Sequence, residues 1–570
     1  MISDNLFKKY RNNFQFIAIL CAFFISIIFW YNHLKMSGSA YCWPASFLGS
    51  YFNLPWDEVG KNFWQSIWYY HIQLPLNIAY ILLFEFILFP ANDFTRGMPA
   101  YLTLHLILGV AALYSLCKIM ELFKVHKVLY TVFLTIFVIN PTFYFWFSQG
   151  THDFVTTCLI TISCYLFYLT QSNRDDKNYF FFFLTLAILI NIRALYHPIF
   201  FFLPILFIMV LIKRTEWKKI LITAAIPLIF ALAPYIKNYF VFGKFTATTH
   251  AGRVLIQKTI EATTSPEERL QAVKNGVYSD AVFCFYEEDD MIDKLNIKYN
   301  GATYNRTYCR DVIQKKYYQQ FLEKSHRTFP EIKIFTEGNN SLSRLGLNQQ
   351  LEKDAISDLK YYPQHFLTRT QINLKQVFET SNWYFYNNMQ NNRKLPANLH
   401  FKFGNQFTFI FIASAFTAIL CGVLLASNSQ KPEPIITIFF FTLLALEFIL
   451  LFYDCNCSFS FLGSFYMKPE IVVRISLLSL VVILFFSGTG FFDRKKTGTP
   501  KPEALLAIFM ICTILYSVVM ALLLAGEEHQ RYRTYINPLL LVLSAISVEM
   551  MIVYLASLKH KLCKTLKFWK

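Results

Sequence analysis

Charged residues are scarce in this chain: Asp, Glu, Lys and Arg make up only 16% of its 570 residues. Hydrophobic residues make up 55%, aromatic residues make up 18%, and mean hydropathy is positive. Apolar runs of about 20 residues, the length that a helix needs to cross the hydrocarbon core of a bilayer, recur along the chain. This composition excludes an ordinary soluble protein and predicts an all-α polytopic membrane protein.

The longest polar stretch, residues 237–406, lacks the motifs of a soluble catalytic domain. It contains no Gly-rich nucleotide fingerprint, no Cys-x-x-Cys pair and no nucleophile elbow. A separate domain that uses a soluble nucleotide-sugar would ordinarily carry such a site, so these absences argue against one. The stretch is interpreted instead as a cap over the membrane part.

Twelve apolar segments are predicted to be transmembrane helices. They cover residues 14–32, 98–117, 128–147, 154–171, 179–192, 196–212, 220–236, 407–427, 435–453, 471–488, 504–525 and 537–557. The segment Leu74–Phe89 is apolar but short, and a crossing there would move every later basic loop to the wrong side of the membrane. It is therefore interpreted as an interfacial helix in the first outer loop.

Lys and Arg cluster in alternate loops, which the positive-inside rule assigns to the cytoplasm. The inner segments are then the N-terminus, Lys118–Lys127, Arg174–Lys177, Lys213–Lys219, the Lys431 turn, Arg494–Lys501 and Lys559–Lys570. The formal charge of +17 is thus largely explained by topology, and it gives no indication of nucleic acid.

This topology divides the chain into an N-terminal transmembrane module (1–236), one larger outer soluble insert or cap (237–406) and C-terminal transmembrane helices (407–570). Within the cap, Ser265-Pro266-Glu267-Glu268 predicts a capping box at the start of a helix, and Asn275-Gly276 predicts the end of that helix. A disulfide between Cys284 and Cys309 is one pairing of the outer cysteines that an oxidising compartment allows, although the sequence does not fix it.

The loop Gly526–Arg533 places two acids, two arginines and a histidine between two apolar segments. Charge at the end of a membrane helix tends to be retained for a partner or a pathway. Arg531 and Arg533 flank Tyr532, and an arginine pair beside an aromatic residue suits a phosphate at the bilayer surface. The alternative interpretation is a solvated turn.

Acidic residues occupy further outer positions. Asp57 and Glu58 form a pair in the first outer loop, and Asp153 lies at the start of the fourth span. A carboxylate whose pKa is raised by burial can act as a general base, and a carboxylate pair can bind a metal. An isolated acid at a loop or helix end is also compatible with a simple turn.

Cations fall on the same predicted face as these acids. Arg193, His197 and Lys237 lie at outer helix ends, as does the 526–533 loop, and His71 lies in the first outer loop. A cavity that holds both acids and cations would suit a lipid-anchored phosphate donor, whose head group reaches the interface while its tail stays in the bilayer.

Taken in order, these residues resemble the GT-C membrane glycosyltransferases, in the branch that contains protein O-mannosyltransferases and lipid A aminoarabinose transferases. The resemblance covers roughly the first 250 residues and the last 50, but not the cap. Lys237 stands where the family often has Arg, and Leu74 where Pro is commoner. The residues that carry it are Asp57-Glu58, Gln73-Leu74-Pro75, Asn140-Pro141, Asp153, Arg193, Pro198, the stretch Ala233–Phe245, and Gly526–Arg533 with Pro538.

The resemblance implies transfer of a sugar from a polyprenyl-phosphate donor to a glycan, lipid or protein acceptor on the non-cytoplasmic side. Asp57 would deprotonate the acceptor hydroxyl, with Glu58 and Asp153 as further catalytic candidates. Glu527 and Glu528 would support their loop, and some relatives use a divalent metal near the outer acids. The donor phosphate would be bound by Arg531, Arg533, Lys237, Arg193 and His71.

Two other classes of membrane protein fit parts of the pattern. A carrier or flippase of an anionic lipid or solute would use the 526–533 loop as an entry gate, although it would need charges at mid-membrane depth and two related halves. A polysaccharide polymerase or ligase would place its decisive arginines in the cap, where Arg253, Arg269, Arg306 and Arg310 stand.

The expected location is a bacterial inner membrane with a periplasmic active site. The endoplasmic reticulum is the alternative, because glycosylation sequons occur on the predicted outer side at Asn305, Asn339 and Asn456.

Overall fold

A computed structural model describes residues 16–28, 94–139, 152–211, 216–248, 251–261, 264–284, 297–325, 344–378, 502–524 and parts of 535–549. The chain is mostly helical over these ranges. The predicted interfacial helix Leu74–Phe89 and the predicted spans 407–427, 435–453 and 471–488 lie outside them.

Before the cap, apolar helices occupy the positions of the predicted spans. They are α1 (Phe16–Ile28), α2 (Phe94–Leu122), α3 (Lys127–Ile139), α4 (His152–Asn173), α5 (Asp176–Ile192), α6 (Ile199–Leu211) and α7 (Trp217–Phe242).

The cap contains five helices and one hairpin within the described ranges. The elements are α8 (Ala251–Ile256), which continues as a π turn (Gln257–Glu261), α9 (Pro266–Lys274), a 3₁₀ turn (Asp280–Phe283), β1 (Ile297–Tyr299), β2 (Ala302–Tyr304), a helical run from 306 with a π turn (Cys309–Gln314) that ends as α10 (Lys315–Ser325), α11 (Leu345–Tyr361) and α12 (Pro363–Phe378).

After the cap, the described chain resumes in the apolar helix α13 (Pro502–Leu524). By length and composition, four helices of the described part could cross a membrane, and their spanning segments are Thr103–Leu122, Asp153–Asn173, Trp217–Phe242 and Leu505–Leu523. These helices support the prediction that the chain is a helical membrane protein. The number of twelve spans stays a prediction.

The helix α4 lies at the centre of the bundle, where it packs against α2, α5 and α13, and α5 packs in turn against α7. Phenylalanine rings pack between α4, α5 and α13. The ring of Phe167 in α4 stacks on Phe509 in α13 with centroids 4.3 Å apart, and it lies 5.6 Å from Phe182 in α5. The abundant phenylalanines of the sequence thus hold α4, α5 and α13 together.

Pro234 removes a backbone hydrogen bond from the interior of α7, and a side chain of the neighbouring helix α5 replaces it. Proline has no N–H, so Pro234 leaves the carbonyl of Phe230, four residues before it, without its usual helical donor. The side-chain amide of Asn191 donates to that carbonyl over 3.0 Å and to the carbonyl of Ala187 over 2.9 Å. An unpaired backbone group is costly in an apolar environment, so this bond fastens the end of α5 to the middle of α7.

The end of α7 lies beyond the predicted span 220–236, at Phe242. Gly243 ends the helix with φ 74°, a conformation that favours glycine, and its N–H donates to the carbonyl of Tyr239 over 2.9 Å. The amide of Asn238 then donates to the carbonyl of Thr246 over 2.6 Å. This bond holds the chain as it turns into the cap.

The two ends of the bundle carry different polar groups. At one end, Lys219 pairs with Asp176 at 2.7 Å and Arg174 pairs with Glu216 at 3.4 Å. These residues belong to the loops that the sequence assigns to the cytoplasm, and we call this the basic end. The opposite end, where α4 begins and α5 and α7 finish, is called the cap end.

The start of α9 confirms the predicted capping box. The backbone N–H of Ser265 donates to Glu268 Oε2 over 2.7 Å, and the N–H of Glu268 donates to Ser265 Oγ over 3.2 Å. The hairpin, in contrast, was not predicted. Its turn is Asn300-Gly301 with φ of 49° and 76°, the pair of positive values that favours Asn-Gly between two short strands.

A disulfide joins Cys284 to Cys309 across a sequence separation of 25 residues. It connects the 3₁₀ turn to the helical run after the hairpin. Closing a loop of this length in the unfolded chain stabilises a fold by about 3 kcal/mol. The cap is therefore cross-linked at the centre of its own apolar core.

The cap is attached to the bundle by Lys258, whose side chain is buried. Its amine donates to the carbonyl of Ala521 over 3.0 Å and to that of Leu522, both in the last turn of α13. Burial, reinforced by the charge of Arg369, lowers the pKa of Lys258 from 10.5 to about 7. A residue of the cap thus pairs with carbonyls that the helix end leaves without donors.

A buried acid links α11 to the 3₁₀ turn of the cap. Asp354 accepts hydrogen bonds from the backbone N–H of Ser279 over 3.1 Å, from the Ser279 hydroxyl over 2.6 Å and from the Gln350 amide over 3.2 Å. Burial raises the pKa of Asp354 from 3.8 to about 6, with a smaller contribution from Asp280, and outweighs these hydrogen bonds. The folded cap therefore favours the protonated carboxyl.

Lowering the pH is expected to stabilise the cap through Asp354. Because the folded pKa is the higher one, the contribution is fully present below 3.8 and is lost as the pH rises through about 6. The pKa difference corresponds to about 3 kcal/mol. Hydrogen exchange of the α11 amides in the full-length protein between pH 4 and pH 7, corrected for intrinsic rates, measures the effect.

The variant Asp354→Asn should flatten this pH profile. Asp311→Asn is the matched control, since Asp311 is a half-exposed cap acid that pairs with Arg310 at 3.0 Å. It should keep the wild-type profile. An unchanged profile in Asp354→Asn would assign the pH dependence to another group.

Candidate functional site

Asp153, Arg193 and Tyr535 form a charged group at the cap end, which we call the Asp153 cluster. The side chain of Asp153 is fully buried, and its Oδ1 accepts a hydrogen bond from the Tyr535 hydroxyl. Arg193 is 13% exposed, and its Nη2 lies 4.0 Å from the same carboxylate oxygen. The guanidinium carbon also lies 5.6 Å from the centre of the Tyr535 ring, within the range of a cation–π contact.

Each charged residue of this cluster lies at a helix end that favours its charge. Asp153 lies in the first turn of α4, where the helix dipole favours a negative charge. Arg193 is the C-cap of α5, with its N–H bonded to the carbonyl of Leu189 over 3.0 Å, and a positive charge is favoured there. Because α4 and α5 are antiparallel neighbours, the two charges meet, and Tyr535 joins them at the start of the helical segment 535–539.

Tyrosines form a second layer beside the cluster. The Tyr196 ring lies 6.5 Å from the Tyr535 ring and 6.0 Å from the Tyr516 ring. The hydroxyls of Tyr196 and Ser517 are 3.0 Å apart, and the Tyr516 hydroxyl accepts a hydrogen bond from the backbone N–H of His197 over 3.1 Å. These bonds tie α13 to the turn between α5 and α6.

The end of α7 reaches the same turn through Tyr235. The rings of His197 and Tyr235 are 5.6 Å apart and nearly perpendicular. Nδ1 of His197 and the hydroxyl oxygen of Tyr235 are both buried, and neither has a hydrogen-bond partner among the described residues. Leaving a buried polar group unpaired costs about 1 to 3 kcal/mol, so each of these two atoms calls for an explanation.

Lys237 lies two residues beyond Tyr235 in α7. Its Nζ donates to the side-chain oxygen of Asn238 over 2.8 Å and lies 4.9 Å from the centre of the Phe242 ring. These contacts hold the amine along its own helix, near the point where the chain enters the cap.

Of the predicted site residues, the described ranges contain Asp153, Arg193 and Lys237. The first two meet in one cluster, which the sequence analysis had placed only on a common face. Tyr535 was not predicted, although an aromatic residue two positions after Arg533 at a predicted outer helix end was a usable signal. The remaining predicted site residues lie outside the described ranges: Asp57, Glu58, His71, Glu527, Glu528, Arg531 and Arg533.

A metal site would need a cluster of His, Cys, Asp or Glu side chains. In the described part of the chain, no group of three or more such residues is arranged to hold a metal ion. The divalent metal that the resemblance allows therefore has no ligand set there.

No family model, no curated protein and no solved structure matches the chain. Fold and site define a mostly helical protein with helices able to cross a membrane and a buried acid–arginine–tyrosine cluster at one end of the bundle.

Proposed function

We propose that this protein is an integral membrane glycosyltransferase that moves a sugar from a polyprenyl-phosphate donor to an acceptor on the non-cytoplasmic side. The observation that carries the proposal is the Asp153 cluster. An acid and an arginine at the ends of membrane helices are costly to bury and are typical of a site for a charged ligand. The cluster lies at the end of the bundle where the cap begins, opposite the loops rich in Lys and Arg.

Within this proposal, Arg193 supplies positive charge and Asp153 positions it. A planar guanidinium with five donors can contact a carboxylate and a phosphate at the same time. Asp153 is fully buried and shared between Arg193 and Tyr535, so we assign it a positioning role rather than the catalytic one suggested by the sequence. The catalytic base is then Asp57, with Glu58 as its neighbour.

The proposed reaction is an in-line displacement at the anomeric carbon. The acceptor hydroxyl attacks as the base takes its proton, and the bond from the anomeric carbon to the phosphate oxygen breaks. Polyprenyl phosphate leaves with the electron pair, and the anomeric centre is inverted. Cations stabilise the charge on the leaving phosphate, and the candidates are Arg193, Lys237, His71, Arg531 and Arg533, with Glu527 and Glu528 supporting the last two.

The disulfide favours an oxidising compartment for the cap. The basic end of the bundle would then face the cytoplasm, in accordance with the positive-inside rule. A bacterial inner membrane with a periplasmic site is the setting that we propose, and the endoplasmic reticulum is the alternative.

Two cap arginines of the polymerase hypothesis have structural contacts. Arg269 donates from Nε to the Thr264 hydroxyl over 3.0 Å and from Nη2 to the Thr264 carbonyl over 2.9 Å. Arg310 pairs with Asp311 at 3.0 Å. These contacts give Arg269 and Arg310 structural roles in the cap.

Mass spectrometry tests the proposed function. A strain without the protein should accumulate one polyprenyl-phosphate sugar and lose that sugar from a surface glycan, lipid or protein. The purified protein in lipid nanodiscs should release polyprenyl phosphate from the same donor once the acceptor is added. Movement of the intact donor across the bilayer without release would contradict the proposal and favour a carrier.

A further inference from the structure

The paired rings of His197 and Tyr235 carry two buried polar atoms that the chemistry proposed at the Asp153 cluster does not use. Tyr235 is fully buried near the end of α7, and His197 lies in the turn between α5 and α6. The interplanar angle of 77° sets the edge of one ring against the face of the other. Nδ1 of His197 and the hydroxyl of Tyr235 have no hydrogen-bond partner in the described part of the chain.

His197 and Tyr235 are each held by a further contact. The backbone N–H of His197 donates to the Tyr516 hydroxyl over 3.1 Å, and the Tyr235 ring lies 5.3 Å from the ring of Phe245. A nearby tyrosine of the same layer differs in one respect: the hydroxyl of Tyr196 is 3.0 Å from that of Ser517. The layer thus satisfies the Tyr196 hydroxyl internally, whereas no residue of the described ranges satisfies that of Tyr235.

We infer that Nδ1 of His197 and the hydroxyl of Tyr235 bind hydroxyl groups of the donor's sugar, an uncharged saccharide. This assignment rests on the proposed function and adds to it the residues that recognise the sugar. A phenol and an imidazole nitrogen can each donate or accept a hydrogen bond, as a sugar hydroxyl can. Apolar walls with a few convergent polar groups are the usual composition of a small-molecule site.

The pair is also placed for this role by its neighbours in the chain. His197 follows Arg193 by four residues, and Tyr196 between them contacts the Tyr535 ring of the Asp153 cluster at 6.5 Å. A sugar held by His197 and Tyr235 would therefore lie beside the cation that we assign to the donor phosphate. A site that hydrogen-bonds a substrate hydroxyl discriminates strongly against analogues that lack it.

Binding of defined lipids to the full-length protein in nanodiscs tests this assignment. The probes are undecaprenyl phosphate and its derivatives that carry glucose, mannose, galactose or arabinose. Tyr235→Phe should lower the affinity for the preferred sugar-bearing lipid by about tenfold, the loss of one hydrogen bond, and leave the affinity for undecaprenyl phosphate unchanged. His197→Leu should have the same effect, and His197→Asn, which keeps a polar atom near Nδ1, should restore part of the preference.

Thermal unfolding without ligand provides a second readout. Tyr235→Phe removes a buried hydroxyl that has no partner in the described chain, so its melting temperature should equal or exceed that of the wild type. Tyr196→Phe is the matched control, because it removes a hydroxyl that is hydrogen-bonded to Ser517, and its melting temperature should fall.

The outcomes are distinguishable. A wild-type protein that binds none of the sugar-bearing lipids better than undecaprenyl phosphate would overturn both the proposed function and this assignment. A wild-type preference that Tyr235→Phe and His197→Leu retain would overturn the assignment alone. A fall in melting temperature for Tyr235→Phe as large as that for Tyr196→Phe would make Tyr235 a structural tyrosine.

Discussion

Replacing Asp153 by alanine is expected to lower the free energy of unfolding by about 3 to 5 kcal/mol, the cost of removing one partner from a buried ion pair. The change takes away the carboxylate that contacts both the guanidinium of Arg193 and the hydroxyl of Tyr535, while Arg193 stays only 13% exposed. Denaturant unfolding of the full-length protein in lipid nanodiscs measures the loss.

The charge and the hydrogen bond of Asp153 can be separated by a second variant. Asp153→Asn keeps an acceptor for Tyr535 but loses the charge opposite Arg193, and combining it with Arg193→Gln should give less than the sum of the two losses. The matched control is Asp176→Asn at the basic end, where a 65% exposed acid pairs with Lys219 at 2.7 Å. An exposed pair contributes about 1 kcal/mol or less. Equal losses for Asp153→Ala and Asp176→Asn would show that the cluster is not an energetic unit.

The variant Asp57→Asn is expected to lower the rate of sugar transfer by about 10² to 10⁴, the usual contribution of a general base, with donor affinity nearly unchanged. The amide has nearly the shape of the carboxylate but cannot take the proton of the acceptor hydroxyl. Release of polyprenyl phosphate in single-turnover reactions measures the rate, and binding of the donor lipid is measured separately.

Glu58 decides how this result is interpreted. If the base is the second acid of the pair, Glu58→Gln carries the large effect and Asp57→Asn a small one. Asp311→Asn, in the cap, should leave the rate unchanged. Full activity in both single variants and in the double variant would remove the first outer loop from the mechanism.

Local rules were sufficient for much of the fold. Apolar length predicted the positions of α4 and α7, and the Ser265–Glu268 capping box predicted the start of α9, because each depends on residues adjacent in sequence. The helix α7 continues beyond the predicted span 220–236. The sequence pattern there changes at Lys237, whereas the helix continues until Gly243 supplies the positive φ that ends it.

For the candidate site, the sequence predicted only that its acids and cations lie on one face of the membrane part. Its decisive contacts join residues far apart in the chain, such as Tyr535 and Asp153 with a separation of 382. No local pattern specifies such a contact, since it depends on which helices are neighbours in the bundle. The hydrogen bond from Asn191 to the carbonyl that Pro234 leaves without a donor is equally absent from any local pattern, because its donor lies in another helix.

The bond from Lys258 to the last turn of α13 sets an order on biosynthesis. The amine belongs to the cap, but its acceptors, the carbonyls of Ala521 and Leu522, are synthesised more than 260 residues later. A nascent chain that has not yet reached α13 cannot pair this amine as the finished protein does. The cap can therefore close in its final form only on a chain that extends through α13, and a product truncated before α13 would keep this lysine without its two acceptors.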